Sequence, residues 1–322
     1  MHISEGILPA PHAAAWFVAS APFIYAGLRK VKTVSREVPS FKALVGIMGA
    51  AVFVISALPI PVPFTGTCSH PAGTGMAAIL VGPFVSTLLS TIALLIHSLF
   101  MAHGGITTLG ANIFSMGVMG SFAGYAAFRG LRAVNAPFWL AAFAAGLASD
   151  WATYTGTSLI MALGLHGNGS LWGLFGAIML AFVPTQLPLG ILEGIITAGM
   201  AGYILKHRPD ILLQLKVIPS GISKAASGIA AAFMIMAILS SPASAEQKGW
   251  EGVDAAVVGK IAESQGRPPA ETVFNSLSGD ALLFVFALGG AVGGFVLGYL
   301  WRGFFNKEEK CHARAGGHPE VL

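Results

Sequence analysis

The first two residues of the chain carry three nitrogen atoms that can bind one metal ion together. Met1 offers a terminal amine, the Met1-His2 peptide offers an amide nitrogen, and His2 offers an imidazole. The amine and amide close a five-membered chelate ring, and the amide and imidazole Nδ1 close a six-membered ring. Three nitrogens in one plane suit Ni²⁺ or Cu²⁺ better than tetrahedral Zn²⁺. The alternative is that His2 is an exposed residue of a frayed terminus, and two residues alone do not decide the question.

The composition places this terminus in a membrane protein. Hydrophobic residues make up 55% of the 322 residues and charged residues only 10%, whereas soluble domains carry about 25% charged residues. The composition therefore predicts a polytopic membrane protein. The formal net charge of +4 fits basic loops that face anionic lipid, so no nucleic-acid partner is expected. The two cysteines, Cys68 and Cys311, predict neither a disulfide framework nor a redox pair.

The apolar runs predict an all-α bundle of about seven crossings, followed by a two-helix appendage with an extracytoplasmic loop. The first run ends in basic residues at Arg29 and Lys30, which are expected to stay in the cytoplasm. The amino terminus is therefore predicted to lie on the outer face of the membrane. The runs of the bundle cover residues 8–28, 43–58, 71–82, 83–101, 106–128, 138–163 and 171–205.

The third run is short for a crossing. As a helix, residues 71–82 would rise about 18 Å, against a hydrocarbon core of about 30 Å. It can serve as a crossing only if it begins part-way down, beneath a loop that dips into the protein. The alternative is one helix from Met76 to Met101, which would put Arg129 and Arg132 outside. The positive-inside rule favours the short crossing.

The loop before this short helix supplies a fourth nitrogen. Residues 65–75 are mostly small or hydroxyl residues and contain one histidine, His70. By the predicted topology, this loop lies on the same membrane face as Met1 and His2. His70 is therefore the expected fourth ligand of the metal.

Two units are predicted, with their boundary near Asp210. Residues 1–210 form the metal-capturing unit, and residues 211–322 form a module of two helices, at 218–239 and 281–301. Between those helices, the segment 240–279 is rich in charge, with slightly more acidic than basic residues, as suits an external loop. Ala243-Ser244-Ala245 is similar to a signal-peptidase site, so processing near Ala245 stays open.

Four separated motifs occur in order along the first 210 residues. They are Met1-His2-Ile3 with Glu5-Gly6, Ser69-His70-Pro71 with Gly73-Thr74-Gly75, residues 103–112 (beginning His103-Gly104-Gly105) with residues 114–117, and Pro184-Thr185-Gln186-Leu187-Pro188 with Glu193-Gly194. Together they resemble the CbiM/NikM family, the substrate-binding (S) membrane components of nickel and cobalt energy-coupling-factor importers. The resemblance covers about the first 210 residues. The remainder, with Gly249-Trp250-Glu251-Gly252-Val253-Asp254, resembles in its layout the small N-type component fused behind the M component in nickel systems.

The resemblance implies a ligand set that agrees with the chemistry above. The metal would be held by the amine of Met1, the amide nitrogen and imidazole of His2, and the imidazole of His70. Ser69, His103 and Asn112 are candidates to contact these ligands rather than the metal. Cys68 stands where a small hydroxyl residue is expected, and it is taken as a spectator because a thiolate ligand would favour Cu⁺ or Zn²⁺.

The predicted function is capture of Ni²⁺, or alternatively Co²⁺, at a bacterial inner membrane. The sequence contains no GxxxxGK[ST] motif, so ATP hydrolysis is assigned to two separate ATP-binding-cassette ATPases, acting with a coupling transmembrane (T) protein. The chain is not expected to be an enzyme, to contain catalytic residues or to carry a bound cofactor. The residues do not decide between nickel and cobalt.

Two other classes of function stay open at this stage. A secondary ion transporter would place titratable groups at the bilayer midplane, where Asp150 and Glu193 are the candidates. Both carboxylates are also explained by hydrogen bonding between helices. An intramembrane metalloenzyme would need an open coordination position beside a general base. His12, His97 and His166 are interpreted as structural.

Overall fold

Long helices formed from the predicted apolar runs make up most of the structure, as the helical fold class predicts. The computed structural model describes residues 2–58, 60–62, 67–101, 103–218, 251–252, 254–270, 288, 291–300 and 302. The predicted helix 218–239 and the processing site near Ala245 lie almost entirely outside the described residues. The helices of the bundle are α1 (Ala10–Glu37), α2 (Phe41–Ala57), α3 (Thr74–Val81), α4 (Pro83–Phe100), α5 (Leu109–Asn112), α6 (Ser121–Ala133), α7 (Phe138–Leu165), α8 (Leu171–His207) and α9 (Pro209–Gln214).

The chain breaks between α3 and α4 at a glycine-proline pair. Gly82 has φ of 88°, a backbone conformation that glycine adopts at little cost. Pro83 then occupies the first turn of α4, where its missing N–H is not needed. The alternative of one continuous helix from Met76 to Met101 is therefore wrong. Instead, α3 is the short separate helix that the positions of Arg129 and Arg132 favoured.

A π-helical stretch, Ile113–Gly120, joins α5 to α6 without a turn. Residues 109–133 are thus one helical rod whose hydrogen-bonding pattern widens just after Asn112. Stretches of π-helix are rare and occur frequently at functional sites.

Small residues allow the helices of the bundle to approach closely. The most extensive helix–helix contact joins α7 and α8. A side chain added at Gly75 or Gly124 would meet the carbonyl oxygen of Ala145, at 2.6 Å and 2.8 Å respectively. Such contacts are typical of helix packing in membranes. Of the described helices, Pro83–Phe100 and Leu171–His207 are long and apolar enough to cross a membrane.

A small sheet, absent from the all-α prediction, ties the carboxyl-terminal part of the chain to the loop of His70. Strands β1 (Ile60–Val62) and β2 (Thr67–Ser69) pair antiparallel, and β3 (Glu251–Gly252) adds in parallel to β2. The chain then forms a π-helical turn, Asp254–Gly259, and α10 (Lys260–Ser264). We call residues 251–252 and 254–270 the cover segment. Farther on, α11 (Ala291–Leu300) lies within the last predicted helix.

Candidate metal centre

The described part of the amino-terminal segment is folded into the protein. His2 is 1% exposed, and the apolar side chains of Ile3, Ile7 and Leu8 are buried with it. Burying three aliphatic side chains stabilises their position by about 1.5–3 kcal/mol each. The alternative of a frayed terminus is thus wrong from His2 onward. Met1 lies outside the described residues.

The side chain of Asn112 makes two hydrogen bonds to the backbone of Ile3, one as acceptor and one as donor. The N–H of Ile3 donates to Asn112 Oδ1 at 2.8 Å, and Asn112 Nδ2 donates to the Ile3 carbonyl at 3.1 Å. The Thr108 hydroxyl donates to the same carbonyl at 2.6 Å. These buried bonds fix the peptide directly after His2, and so fix the direction of its imidazole.

The carboxylate of Glu5 anchors the segment to the loop that follows α4. It accepts from the backbone N–H of Ile106 at 2.7 Å and of Thr107 at 3.3 Å, and also from the Thr107 hydroxyl. The backbones of Glu5 and Gly105 lie so close together that a Cβ added at Gly105 would be 2.6 Å from the Cα of Glu5. At Gly104, where φ is +79°, a Cβ would lie 3.4 Å from the Cβ of His2. The Gly104-Gly105 pair is therefore required for the amino terminus to fit.

The loop carrying His70 is fixed from α7 and α8. The Ser69 hydroxyl pairs with the Tyr154 hydroxyl at 2.9 Å and accepts from Gln186 Nε2 at 3.1 Å. Directly after His70, the Glu193 carboxylate accepts from the backbone N–H groups of Ala72 at 2.7 Å and Gly73 at 2.9 Å. The proline-flanked motif of α8 thus serves to position the histidine loop, which is the hydrogen-bonding explanation for Glu193.

Four histidines converge between these two anchored segments. The ring centroid of His103 lies 4.5 Å from that of His2 and 4.5 Å from that of His70. His97, near the end of α4, lies 5.7 Å from His2 and 6.1 Å from His103. The structure therefore brings the two predicted imidazole ligands into contact with the same third imidazole, that of His103. It also adds His97, which the sequence analysis treated as an isolated structural residue.

Burial keeps the loop histidines of this cluster neutral. Loss of solvation lowers the pKa of His70 to about 4, and it lowers the pKa of His2 and of His103 from their ordinary values. At neutral pH each imidazole then presents a lone pair, the form that binds a metal ion.

Several of these nitrogens are buried without a hydrogen-bond partner among the described residues. They are Nδ1 and Nε2 of His2, Nδ1 of His70, Nδ1 and Nε2 of His97, and Nε2 of His103. Buried polar atoms in native proteins are nearly always paired, so such a concentration calls for an explanation such as an ion. The donor set fits a divalent cation of the late first transition row, which prefers imidazole nitrogen.

Asp254, in the cover segment, places its carboxylate beside His2 and His103. Its Oδ1 accepts from the backbone N–H of His2 at 3.1 Å, and its Oδ2 lies 3.5 Å from His2 Nδ1 and 3.3 Å from His103 Nε2. One ligand atom from each of His2, His103 and Asp254 lies within 4.8 Å of the others. Asp254 follows a glycine-tryptophan motif and precedes an apolar run, and neither pattern predicts a metal ligand.

The cover segment also holds the backbone beyond His2. Arg267 donates through Nε to the Ile7 carbonyl at 3.0 Å, and through Nη2 to the carbonyls of Gly6 at 3.1 Å and Leu8 at 3.2 Å. The N–H of Ala270 donates to the Glu5 carbonyl at 2.9 Å. The amino-terminal segment is thus held between the bundle and the cover segment.

Of the remaining predicted residues, Ser69 neighbours His70, Asn112 contacts the residue after His2, and the ring of His103 lies 4.5 Å from those of both His2 and His70. Their contribution to metal binding stays a prediction, as does that of Met1. The side chain of Cys68 lies outside the described part of the structure, whereas its backbone is in β2. Glu5, His97 and Asp254 are the site residues that sequence reasoning did not assign.

Comparison with known proteins places this geometry in a family. A family model described as CbiM, cobalt uptake substrate-specific transmembrane region, matches residues 2–211. A protein of Geobacter sulfurreducens named cobalt transport protein CbiM is 53% identical over 309 residues, covering 94% of this chain and 89% of that protein. A Sorangium cellulosum protein of the same name is 50% identical over 218 residues, covering 68% of this chain and 97% of that protein.

A solved structure supports the fold. The crystal structure of a truncated transition metal transporter superposes with a TM-score of 0.55 at 28% identity, covering 64% of this chain and 99% of that chain. Together with the family model and the relatives, this likeness shows that the chain belongs to the CbiM family, and that it is a membrane component for metal uptake.

Proposed function

We propose that this chain captures Co²⁺ or Ni²⁺ on the outer side of a bacterial inner membrane, as the substrate-binding component of an energy-coupling-factor importer. The observation that carries the proposal is the burial of His2, held by Asn112 and Glu5 beside His103 and His70. Burying the imidazole of His2, whose Nε2 has no hydrogen-bond partner among the described residues, costs free energy, and binding an ion would offset that cost. The family is a transport family, which supports the prediction that the chain is not an enzyme.

Two considerations bear on which ion is carried. The predicted planar chelate of a terminal amine, an amide nitrogen and an imidazole would favour Ni²⁺ or Cu²⁺. The relatives at 53% and 50% identity are both named as cobalt transport proteins. Those names make Co²⁺ the first ion to test and Ni²⁺ the second, and the same ligand set accepts both.

Transport across the membrane requires partners that supply energy. The sequence contains no phosphate-binding GxxxxGK[ST] motif. A coupling transmembrane protein and two ATP-binding-cassette ATPases are the proposed partners. Basic residues in the last third of α1, at Arg29 and Lys30, support a multi-pass topology with the amino terminus outside.

The carboxyl-terminal part is proposed to be an N-type module that acts on the metal centre. Support comes from three contacts that the cover segment makes: β3 with the strand next to His70, Arg267 with residues 6–8, and Asp254 with His2. A module fused for another purpose would not need to touch both segments that bear the predicted ligands.

The proposal is tested by His2→Ala in the full-length protein. The substitution removes the imidazole of the predicted chelate and leaves the terminal amine and the amide nitrogen without it. The affinity for Co²⁺ and for Ni²⁺, measured by titration, should fall by about a hundredfold or more, equivalent to about 2.7 kcal/mol. The matched control is His12→Ala, at an exposed histidine on α1. Equal affinity in both variants and in the unmodified protein would refute the proposed ligand set.

The hydrogen bonds that Glu193 accepts argue against the alternative of a secondary ion transporter. Its carboxylate is engaged by the N–H groups of Ala72 and Gly73, so it is a poor candidate for a relay. Asp150 is buried and has no hydrogen-bond partner among the described residues, which leaves it as the one observation in favour. Metal uptake by cells that lack the proposed ATPases would favour that alternative, and uptake that depends on them would exclude it.

A further inference from the structure

Two of the donor atoms in the predicted chelate face the Asp254 carboxylate. The backbone nitrogen of His2 lies 3.1 Å from Oδ1, and Nδ1 of its imidazole lies 3.5 Å from Oδ2. His103 approaches the same oxygen, with Nε2 at 3.3 Å from Oδ2. Ligand atoms bound about 2.1 Å from one metal ion are separated from their neighbours by about 3.0–3.4 Å, so these spacings are close to those of a coordination shell.

The backbone nitrogen of His2 is not ready to bind a metal ion while it carries its proton. A neutral amide has no lone pair directed at an ion, and this one donates its N–H to Asp254. The nitrogen becomes a ligand only after the proton has left as H⁺ to solvent. An ion arriving at the centre must therefore first be held by donors that need no such change.

We propose that His2, His103 and Asp254 form a loading site, which takes the divalent cation before the amide nitrogen and His70 complete its coordination. The inference rests on the proposed function and names a ligand supplied by the cover segment. Two imidazoles and one carboxylate lie within reach of one ion, and together they suit Co²⁺ or Ni²⁺. The metal is held near the amide nitrogen, where its charge favours loss of the amide proton.

The three side chains of the proposed loading site differ in their exposure to solvent. Asp254 is 13% exposed and His103 is 20% exposed, whereas His2 is 1% exposed. The side chains of Asp254 and His103 thus reach closer to solvent than that of His2, although their donor atoms Oδ2 and Nε2 are buried. The buried imidazole of His2 is shared by the loading site and the final site, so transfer requires exchange of only some ligands.

The experiment uses purified full-length protein, CoCl₂ as the probe, and four variants: Asp254→Asn, His70→Ala, the two combined, and Glu263→Gln. Asparagine preserves an acceptor for the His2 N–H but removes the charge and the strong ligand oxygen. Glu263 is an exposed acidic residue on α10, so its variant controls for loss of one negative charge from the cover segment. Loading is followed by rapid mixing with Co²⁺, and equilibrium binding is measured by titration.

Asp254→Asn should load Co²⁺ about tenfold more slowly than the unmodified protein, a loss typical of a weakened metal-site contact. Glu263→Gln should load at the normal rate. His70→Ala should still bind one Co²⁺ weakly, and the combined variant should bind that ion at least about tenfold more weakly again. Asp254→Glu, which keeps the charge, should recover part of the loading rate.

Normal loading by Asp254→Asn, or equal residual binding by His70→Ala with and without Asp254→Asn, would overturn the inference. Hydrogen exchange of residues 254–270 in each variant separates a ligand role from a structural one. Slow loading with increased exchange throughout the cover segment would show that Asp254 only holds the segment in place, which also overturns the inference. Failure of the proposed function looks different, because the unmodified protein would then retain no Co²⁺ or Ni²⁺.

Discussion

The bundle and the cover segment hold the same few residues of the amino terminus, but with contacts of different character. The bundle uses Asn112, Thr108 and the loop at 105–107, and most of these groups are fully buried. The cover segment uses Arg267 and Asp254, which are charged and partly exposed. Buried, fully paired hydrogen bonds are costly to break, whereas partly exposed charged contacts exchange with water at little cost.

This difference suggests a division of labour at the metal centre. The bundle fixes the geometry of His2 and His70 and so sets the affinity for the ion. The cover segment also buries Val258 and Ala262, but its charged contacts with residues 2–8 can exchange with water, so we expect it to govern how fast the ion enters. Variants on the bundle side should therefore have larger effects on equilibrium binding than variants on the cover side.

The largest effect is expected from Gly105→Ala on the bundle side. The new Cβ would lie 2.6 Å from the Cα and 2.7 Å from the backbone nitrogen of Glu5. Backbone atoms cannot yield by a side-chain rotation, so the whole amino-terminal segment must shift. Affinity for Co²⁺ should fall by about a hundredfold or more, equivalent to about 2.7 kcal/mol, as measured by titration.

Gly176→Ala is the matched control for that variant. Among the described residues, nothing lies within 4 Å of a Cβ at Gly176, and alanine is favoured over glycine inside a helix. Its Co²⁺ affinity should equal that of the unmodified protein. Unchanged binding by Gly105→Ala would mean that the buried position of residues 2–8 is not required for the metal centre.

A smaller but still large effect is expected from Asn112→Ala. The change leaves the buried N–H and carbonyl of Ile3 without their amide partner. An unsatisfied buried group costs about 1–3 kcal/mol, which corresponds to about 5- to 150-fold in affinity. Titration with Co²⁺ measures the loss, and Asn168→Ala, in the exposed turn after α7, is the control. If Asn112→Ala binds normally, the loop of His70 alone determines the affinity.

The bundle side of this comparison was largely predictable from sequence, because chemistry and topology pointed to the same residues. His2 and His70 were placed together by counting crossings, and the short helix before Gly82 followed from basic residues. The CbiM resemblance is confirmed by the family model. Asn112, His103 and Glu5 stood in recognisable motifs, whereas the contacts that Glu5 and His97 make across about a hundred residues are encoded by no local pattern.

The cover side could not be predicted beyond its existence as a charged segment. Asp254 and Arg267 are ordinary charged residues of an external loop until the fold brings them to the amino terminus. The parallel pairing of β3 with β2 has only two residues in register, too few for an alternating pattern to show. Residue order does not reveal which side of the bundle such a segment covers.

A modest effect is expected from Arg267→Gln on the cover side. The variant loses charged hydrogen bonds to the carbonyls of residues 6–8, but water can replace them because the side chain is only half-buried. Co²⁺ affinity should fall by about threefold to tenfold, corresponding to about 0.7–1.4 kcal/mol. Hydrogen exchange at residues 5–8 should increase, and Arg129→Gln, at an exposed position on α6, is the control. A larger loss for Arg267→Gln than for Asn112→Ala would reverse the proposed division of labour.

The smallest effect is expected from Asp210→Asn. Asp210 makes a charged contact away from the metal centre, so this variant shows how little Co²⁺ affinity changes when such a contact is lost. The Arg208 guanidinium donates to both oxygens of Asp210, at 3.0 and 2.9 Å, and lowers the pKa of its carboxyl. Because the folded-state pKa is lowered, this pair stabilises the protein above the ordinary carboxyl pKa, and the contribution is lost as the pH falls through the folded-state value. Asp210 is 47% exposed, so the contribution should stay below about 1 kcal/mol. Thermal unfolding at neutral pH should show a slightly lower midpoint for the variant, and the difference should shrink in acid.

The Co²⁺ affinity of Asp210→Asn should be unchanged, since the described contacts of Asp210 do not involve the amino terminus. A loss comparable to that of Arg267→Gln would mean that charge anywhere on the chain, rather than contact with the amino terminus, governs binding.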